Sequence, residues 1–506
     1  MGHRFNRRAA MTVSGLISSG PPRIAESRYS SDSVTELYEH TATEIAALVR
    51  DGEVSCREVV EAHLARIEAT NRHVNAISVV LSDSALQAAD RADRLRSSGH
   101  DTGPLSGVPF TVKENIDCLG TATTRGVPAL RDAMPYLDAP AVARLKAAGA
   151  IPIARTNLAE MGLRLCTQNP LRGVTRNPRD PRLTAGGSSG GDAAAVATGM
   201  TPVGLGNDIG GSLRVPAHCC GIAALKPTTG RVPHAASLPP HDHGMAGQAM
   251  LSVGPMARSV ADLRLCLSVL SGRDPRDPCS VDVPLRGADP EERSVALVTE
   301  LPDASIPAET LSVLERVGDL LQDAGWAVEQ ATPPEVLRVI DVWHKLLATD
   351  LSVVMPKIQG MVSEHLYDHV MQMCRGAKLH EASNHRLHEE RSRLRRAWSG
   401  FFSEHAVVVG PNMLVSPWRL NADLDPNVGP ELLAAATRFV LPANALGLPT
   451  VALPVGRPPA LPDSLQIYAD LWREDLALEV AEILESNLDA CRPIDPAASS
   501  DPQTQS

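Results

Sequence analysis

Gly186–Pro216, GGSSGGDAAAVATGMTPVGLGNDIGGSLRVP, is the stretch that sets the reading of this chain. It holds two serine-bearing glycine turns. The first is Gly186-Gly187-Ser188-Ser189-Gly190-Gly191. Glycines at this density permit positive φ and close backbone approach, at an entropic cost that a plain linker has no reason to concentrate in one place. The Ala-rich, proline-free run Asp192–Met200 predicts a helix with the turn at its N-terminus, and Pro202–Gly206 predicts a buried strand. That strand leads into the second turn, Asn207-Asp208-Ile209-Gly210-Gly211-Ser212. A serine at the end of a run of free backbone N–H groups suits acyl transfer, because an attacking hydroxyl then stands beside a nest that can hold an oxyanion.

A serine hydroxyl is a poor nucleophile at neutral pH and needs a base. Neither turn contains a histidine. Upstream, Pro104–Asn115 reads PLSGVPFTVKEN, a short apolar strand over Val108–Val112 with Lys113 at its end. A lysine among apolar and glycine-rich walls loses solvation as the cation, so its pKa falls and it can accept a proton. An ordinary surface lysine fits this segment too.

The two segments together resemble the amidase signature family, serine hydrolases with a Ser–cis-Ser–Lys triad. The glycine-serine block matches the family pattern without a gap from Gly186 through Ala217, and the segment ending in Lys113 matches as well. The resemblance implies that Ser212 is the nucleophile and Ser188 the bridging serine, with a cis bond before it. It implies Lys113 as the base and the N–H groups of Ile209, Gly210, Gly211 and Ser212 as the oxyanion hole. The less regular stretch 157–177, NLAEMGLRLCTQNPLRGVTRN, resembles the family's active-site mouth, which makes Met161, Gly162 and Leu165, with Gly187, candidate substrate contacts; a segment that only braces the glycine turn fits as well. The fold implied is α/β, a large mixed β-sheet flanked by helices on both faces, with a small-molecule amide as substrate and neither cofactor nor metal. Two departures stand out. Arg179 follows Arg176-Asn177-Pro178 where a tryptophan is common, and Leu461–Ile467 lacks the glycine of the usual strand.

Two other functions fit a chain of this kind. One is the catalytic subunit of a tRNA-dependent amidotransferase; the other is a non-catalytic binding protein that keeps the fold. All three triad residues are present, against the second. The extended N-terminal segment, the His/Pro loop at 234–243 and the altered 461–467 strand favour a free-standing hydrolase over the first. A homodimer is left open.

Composition narrows the classes further. The 506 residues are 43% hydrophobic and 21% charged, as in an ordinary globular protein. A net charge of -11 argues against nucleic-acid binding, and no apolar run approaches the roughly 18 residues of a membrane span. Nine cysteines, an odd number without C-x-x-C spacing, read as reduced thiols of a cytoplasmic protein. His234, His241 and His243 cluster with Asp242 in a proline-rich loop, a set with zinc-ligand chemistry but no helix to set its spacing, so the loop is expected to line the active-site rim.

The organisation expected is a flexible tail over 1–35, a single domain over 36–490 and a disordered tail over 491–506. Within the domain, the catalytic core covers about 100–265, the Pro/Asp/Arg-rich 273–292 is the linker candidate, and a helical substrate-pocket region covers about 300–445. Capping boxes at Thr41/Glu44 and Ser55/Glu58 open two helices. A long helical region is expected over 334–402, with a stripe from Leu346 to Met373 that suits core or an adaptable pocket wall, and one further helix over 430–446.

Overall fold

Every side chain of Pro109–Lys113 is buried, as required of a strand with a neighbour on each side and layers over both faces. The computed structural model, which describes residues 36–379, 384–455, 463–487 and 491–497, places this strand inside a large mixed sheet. The strands in chain order are β1 (Ile77–Val80), β2 (Pro109–Lys113), β3 (Ile151–Thr156), β4 (Gln168–Asn169), β5 (Gly173–Val174), β6 (Val203–Asp208) and β7 (Ala223–Lys226). There follow β8 (Ser252–Ala257), β9 (Ser294–Leu297), β10 (Ala327–Gln330), β11 (Val407–Pro411), β12 (Thr450–Pro454) and β13 (Ser464–Ala469). Eleven of them form one sheet in the order β1-β3-β2-β6-β8-β7-β12-β13-β11-β9-β10, while β4 and β5 make a separate two-stranded ribbon. The α/β fold expected from the sequence is the one observed.

The turn-bearing region sits at the centre. The helix Gly190–Ala197 is buried at every position, because alanine and glycine let it pack against its neighbours without protruding side chains. It starts two residues before the expected Asp192, since Ser189 already occupies the capping position and its carbonyl accepts from Ala193. Both capping boxes form as expected, starting helices Ala42–Asp51 and Cys56–Val74. His63, on the inner face of the second, is fully buried with Nδ1 3.1 Å from the carbonyl of Gly199.

Four expectations change in three dimensions. The region 334–402 divides into Val336–Ile358, Glu364–Gly376 and Asn384–Glu404, with the Ser363 hydroxyl accepting from Leu366 N–H to cap the second helix. The 430–446 helix is two, Gly429–Thr437 and Leu441–Leu446, because Pro442 lacks the N–H that continuation needs and suits a helix start. Residues 491–497 are not a loose tail: Ile494 N–H donates to Ala197 O, Ala497 N–H to Pro178 O, and Asp495 pairs with Arg66 at 2.8 Å. The 273–292 segment parts no two sheets, since β9 and β10 beyond it join the sheet that precedes it. The 1–35 tail, His380, Glu381, Gly456, Leu461 and Pro462 lie outside the described residues.

Candidate active site

β2 and β6 are adjacent and parallel, with Val112 opposite Leu205, so their C-terminal ends share one edge of the sheet. That register brings Lys113 beside Asn207. Lys113 is fully buried, and its Nζ donates to Ser188 Oγ at 2.7 Å and to Asn207 Oδ1 at 2.8 Å. Asn207 in turn donates through Nδ2 to Asn115 Oδ1 at 3.3 Å. Burial pushes the Lys113 amine down to about 7, against the pull of the Asp192 and Asp208 charges. Asp192 lies buried close by and accepts from Thr111 Oγ1 at 3.2 Å; burial pushes its carboxyl up. The backbone at Lys113 is held too, since the buried Arg155 donates to the carbonyls of Val112, Lys113 and Ile116.

Sequence reasoning did not single out Asn115 or Asn207, nor any role for Asp192 near Lys113. The one available signal was Asp192 itself, the only charged residue in an otherwise small and apolar helix.

The peptide bond Gly187–Ser188 is cis, as the resemblance implied. Gly187 faces the backbone of 164–166: a Cβ there would lie 2.6 Å from the Arg164 carbonyl oxygen and 2.7 Å from Cys166 N. It therefore packs against that segment and is not among the residues lining the cavity, contrary to the substrate contact expected. Gly162 does line it and covers Ser188, its Cβ position being 3.5 Å from Ser188 Oγ. Leu165 lines it as well. Met161, at φ 54, packs against the core instead, with its N–H donating to Arg125 O at 2.9 Å.

The second turn is tied to the first by Ser189 N–H, which donates to Ser212 O at 3.3 Å. Its shape is set by Asp208, which accepts from Gly211 N–H at 2.7 Å, Leu213 N–H at 3.1 Å and Asn444 Nδ2 at 2.9 Å. The Gly211 N–H is thus committed to a carboxylate and is not free for an oxyanion, which corrects the expected set of four donors. The N–H groups of Ile209, Gly210 and Ser212 have no acceptor among the described residues.

Asp208 forms a buried ion pair with Arg214 at 3.0 Å. Burial pushes the Asp208 carboxyl up, but Arg214, by charge and hydrogen bonds, outweighs it and holds the group well below the ordinary range. Arg214 also reaches Val440 O at 2.7 Å, Gln466 Oε1 at 2.9 Å and Asn444 Oδ1 at 2.6 Å. Arg214→Met is expected to cost about 3–5 kcal/mol, because it strands a buried carboxylate. With the native pKa depressed, the pair's contribution is present above the unfolded carboxyl range and is lost as pH falls through the folded value. Urea titrations should therefore show the variant's deficit greatest at neutral pH and shrinking on acidification.

A cavity of about 660 Å³ opens in front of Ser212, Ile209 and Gly210. Its apolar wall includes Leu347, Leu351, Val370, Met373 and Leu433, carried by the helices Val336–Ile358, Glu364–Gly376 and Gly429–Thr437. Of the stripe read from the sequence, Leu347, Leu351 and Met373 face this space; Leu346, Met355 and Leu366 are buried in the core.

The loop histidines form a pair, His243 Nε2 lying 3.1 Å from His234 Nδ1, while His241 turns to Ala236 O. Among the described residues no three His, Cys, Asp or Glu side chains are grouped to hold a metal ion. They line a separate pocket of about 70 Å³, not the Ser212 cavity, so the loop is not the rim expected.

A sequence model of the Amidase family matches residues 58–478. An indoleacetamide hydrolase of Bradyrhizobium diazoefficiens is 37% identical over 462 residues, covering 89% of this chain and 87% of that protein. A subunit of the glutamyl-tRNA(Gln) amidotransferase of Roseiflexus sp. is 31% identical over 481 residues, covering 89% of this chain and 96% of that one. Among solved structures, a 6-aminohexanoate cyclic dimer hydrolase complexed with substrate superposes with a TM-score of 0.78 at 26% identity, covering 91% of this chain and 99% of the other.

Proposed function

The chain belongs to the amidase family, hydrolases of carbon–nitrogen bonds in amides, and from that premise we propose that it cleaves a small carboxamide through an acyl-enzyme on Ser212. The observation that carries the reading is the buried contact of Lys113 Nζ with Ser188 Oγ, beside a cavity that Ser212 opens into. Neutral Lys113 takes the proton of Ser188 Oγ as Ser188 takes that of Ser212 Oγ, and Ser212 Oγ bonds to the amide carbon. The carbonyl oxygen becomes an oxyanion that accepts from Ile209, Gly210 and Ser212 N–H. Run backwards, the relay protonates the nitrogen as the C–N bond breaks, releasing ammonia or an amine. Water then attacks the ester by the same route, gives the carboxylate and restores Ser212.

For the substrate we infer an arylacetamide. The 37% identical relative is an indoleacetamide hydrolase, and the apolar cavity is large enough for an indole ring. A panel of indole-3-acetamide, phenylacetamide, aliphatic amides and anilides is expected to give kcat/KM highest for the arylacetamides. A uniform rate across the panel, or a preference for aliphatic amides, refutes the substrate inference. Glutamine hydrolysis that rises with tRNA, in a complex with co-purifying subunits, would move the chain to the amidotransferase reading.

A cytoplasmic setting is supported by the nine cysteines, all of them unpaired. Among the described residues no helix is long and apolar enough to cross a membrane.

A further inference from the structure

The oxyanion turn is gripped from outside by a residue that the family resemblance did not implicate. Trp343, in the helix Val336–Ile358, donates its indole N–H to the carbonyl of Ile209 at 2.8 Å. The Ile209–Gly210 peptide is trans, so its C=O and N–H point in opposite directions within one plane. Holding the carbonyl therefore aims the Gly210 N–H the other way. The next peptide is pinned as well, since Gly211 N–H donates to Asp208 Oδ1 at 2.7 Å. The indole also lies flush against the turn: a Cβ on Gly210 would sit 2.6 Å from Trp343 Cζ2. Trp343 itself lines the cavity, and one turn further along the helix Leu347 does too.

We propose that Trp343 is a positioning residue that aims the Gly210 N–H at the developing oxyanion and couples the cavity wall to the catalytic turn. This rests on the acyl-enzyme reading above. A group that orients an oxyanion donor stabilises the tetrahedral state without strengthening ground-state binding, so its loss belongs in kcat.

Two substitutions separate the hydrogen bond from the packing. Trp343→Phe keeps apolar bulk without the N–H. Trp343→His keeps an N–H at the matching ring position but drops the benzo ring. In W343F, kcat is expected to fall about 10–100-fold, less than the loss of a whole donor, with KM within about threefold. Affinity for the aldehyde analogue of the amide, which Ser212 captures as a tetrahedral adduct, should fall by the factor lost in kcat/KM. Affinity for the carboxylate product should hold, and W343H should recover part of kcat. Unchanged kcat in W343F, a loss confined to KM, or equal weakening of aldehyde and product overturns the proposal. Should W343F fail to fold, W343H decides: a retained preference for aldehyde over product supports the proposal, and its collapse overturns it. Fluorophosphonate labelling of Ser212 separates the two levels of the argument. No label in the unaltered enzyme refutes the acyl-enzyme reading, whereas labelling of W343F at the unaltered rate refutes only the role of Trp343.

Discussion

Replacing Ser212 with alanine is expected to lower kcat by roughly 10⁴–10⁶-fold, the scale seen when a serine nucleophile is removed. Ser212 opens on the cavity and follows the unpaired N–H groups of Ile209 and Gly210, the placement that the proposed acyl-enzyme requires of its nucleophile. The change removes one hydroxyl and adds no bulk, so the thermal midpoint should barely move. Mass spectrometry after fluorophosphonate treatment should find the adduct on the peptide carrying Ser212. An adduct on Ser188 or Ser189 instead, or substantial amide turnover by Ser212→Ala, would overturn the assignment of the nucleophile.

The second large effect concerns Lys113. A base must be neutral before it can accept a proton, and burial lowers this amine to about 7 from its ordinary value near 10. The sign follows directly: protonation at acid pH removes the base, so kcat should rise through the neutral range and level off on the alkaline side. Lys113→Ala should cost on the order of 10³-fold or more at neutral pH and less at high pH, where hydroxide partly replaces the amine. Lys113→Arg should not rescue, because a guanidinium keeps its proton in a protein. It would also place a permanent cation where Asn207 Oδ1 and Ser188 Oγ accommodate one small ammonium group. A pH–rate profile of each variant beside the unaltered enzyme is the measurement. An arginine variant with near-normal neutral-pH activity would show that the position supplies only charge, and the two-serine relay would have to be given up.

The features legible in the sequence are those whose causes lie within a few residues. The glycine density around Ser188 and Ser212, the apolar run ending in Lys113 and the two capping boxes each announce a local conformation through steric freedom or a short side-chain-to-backbone bond. The linear order of two turns, a small-residue helix and a lysine-bearing strand carried the resemblance to the amidase signature family, and that resemblance implied the α/β fold.

What only the tertiary structure decided depends on partners far apart in the chain. Asn207 meets Lys113 because β2 and β6 pair in a particular parallel register. Gly211 N–H leaves the oxyanion set because Asp208, fixed by Arg214 and Asn444, takes it. Trp343 reaches Ile209 across a helix packed on the turn, and the same packing sends Leu347 to the cavity and Leu346 to the core. The reason is physical: a local pattern fixes which conformations a segment can adopt at low cost. Which polar groups are then desolvated, and which partner each one finds, is set only when the sheet and its covering helices close around them.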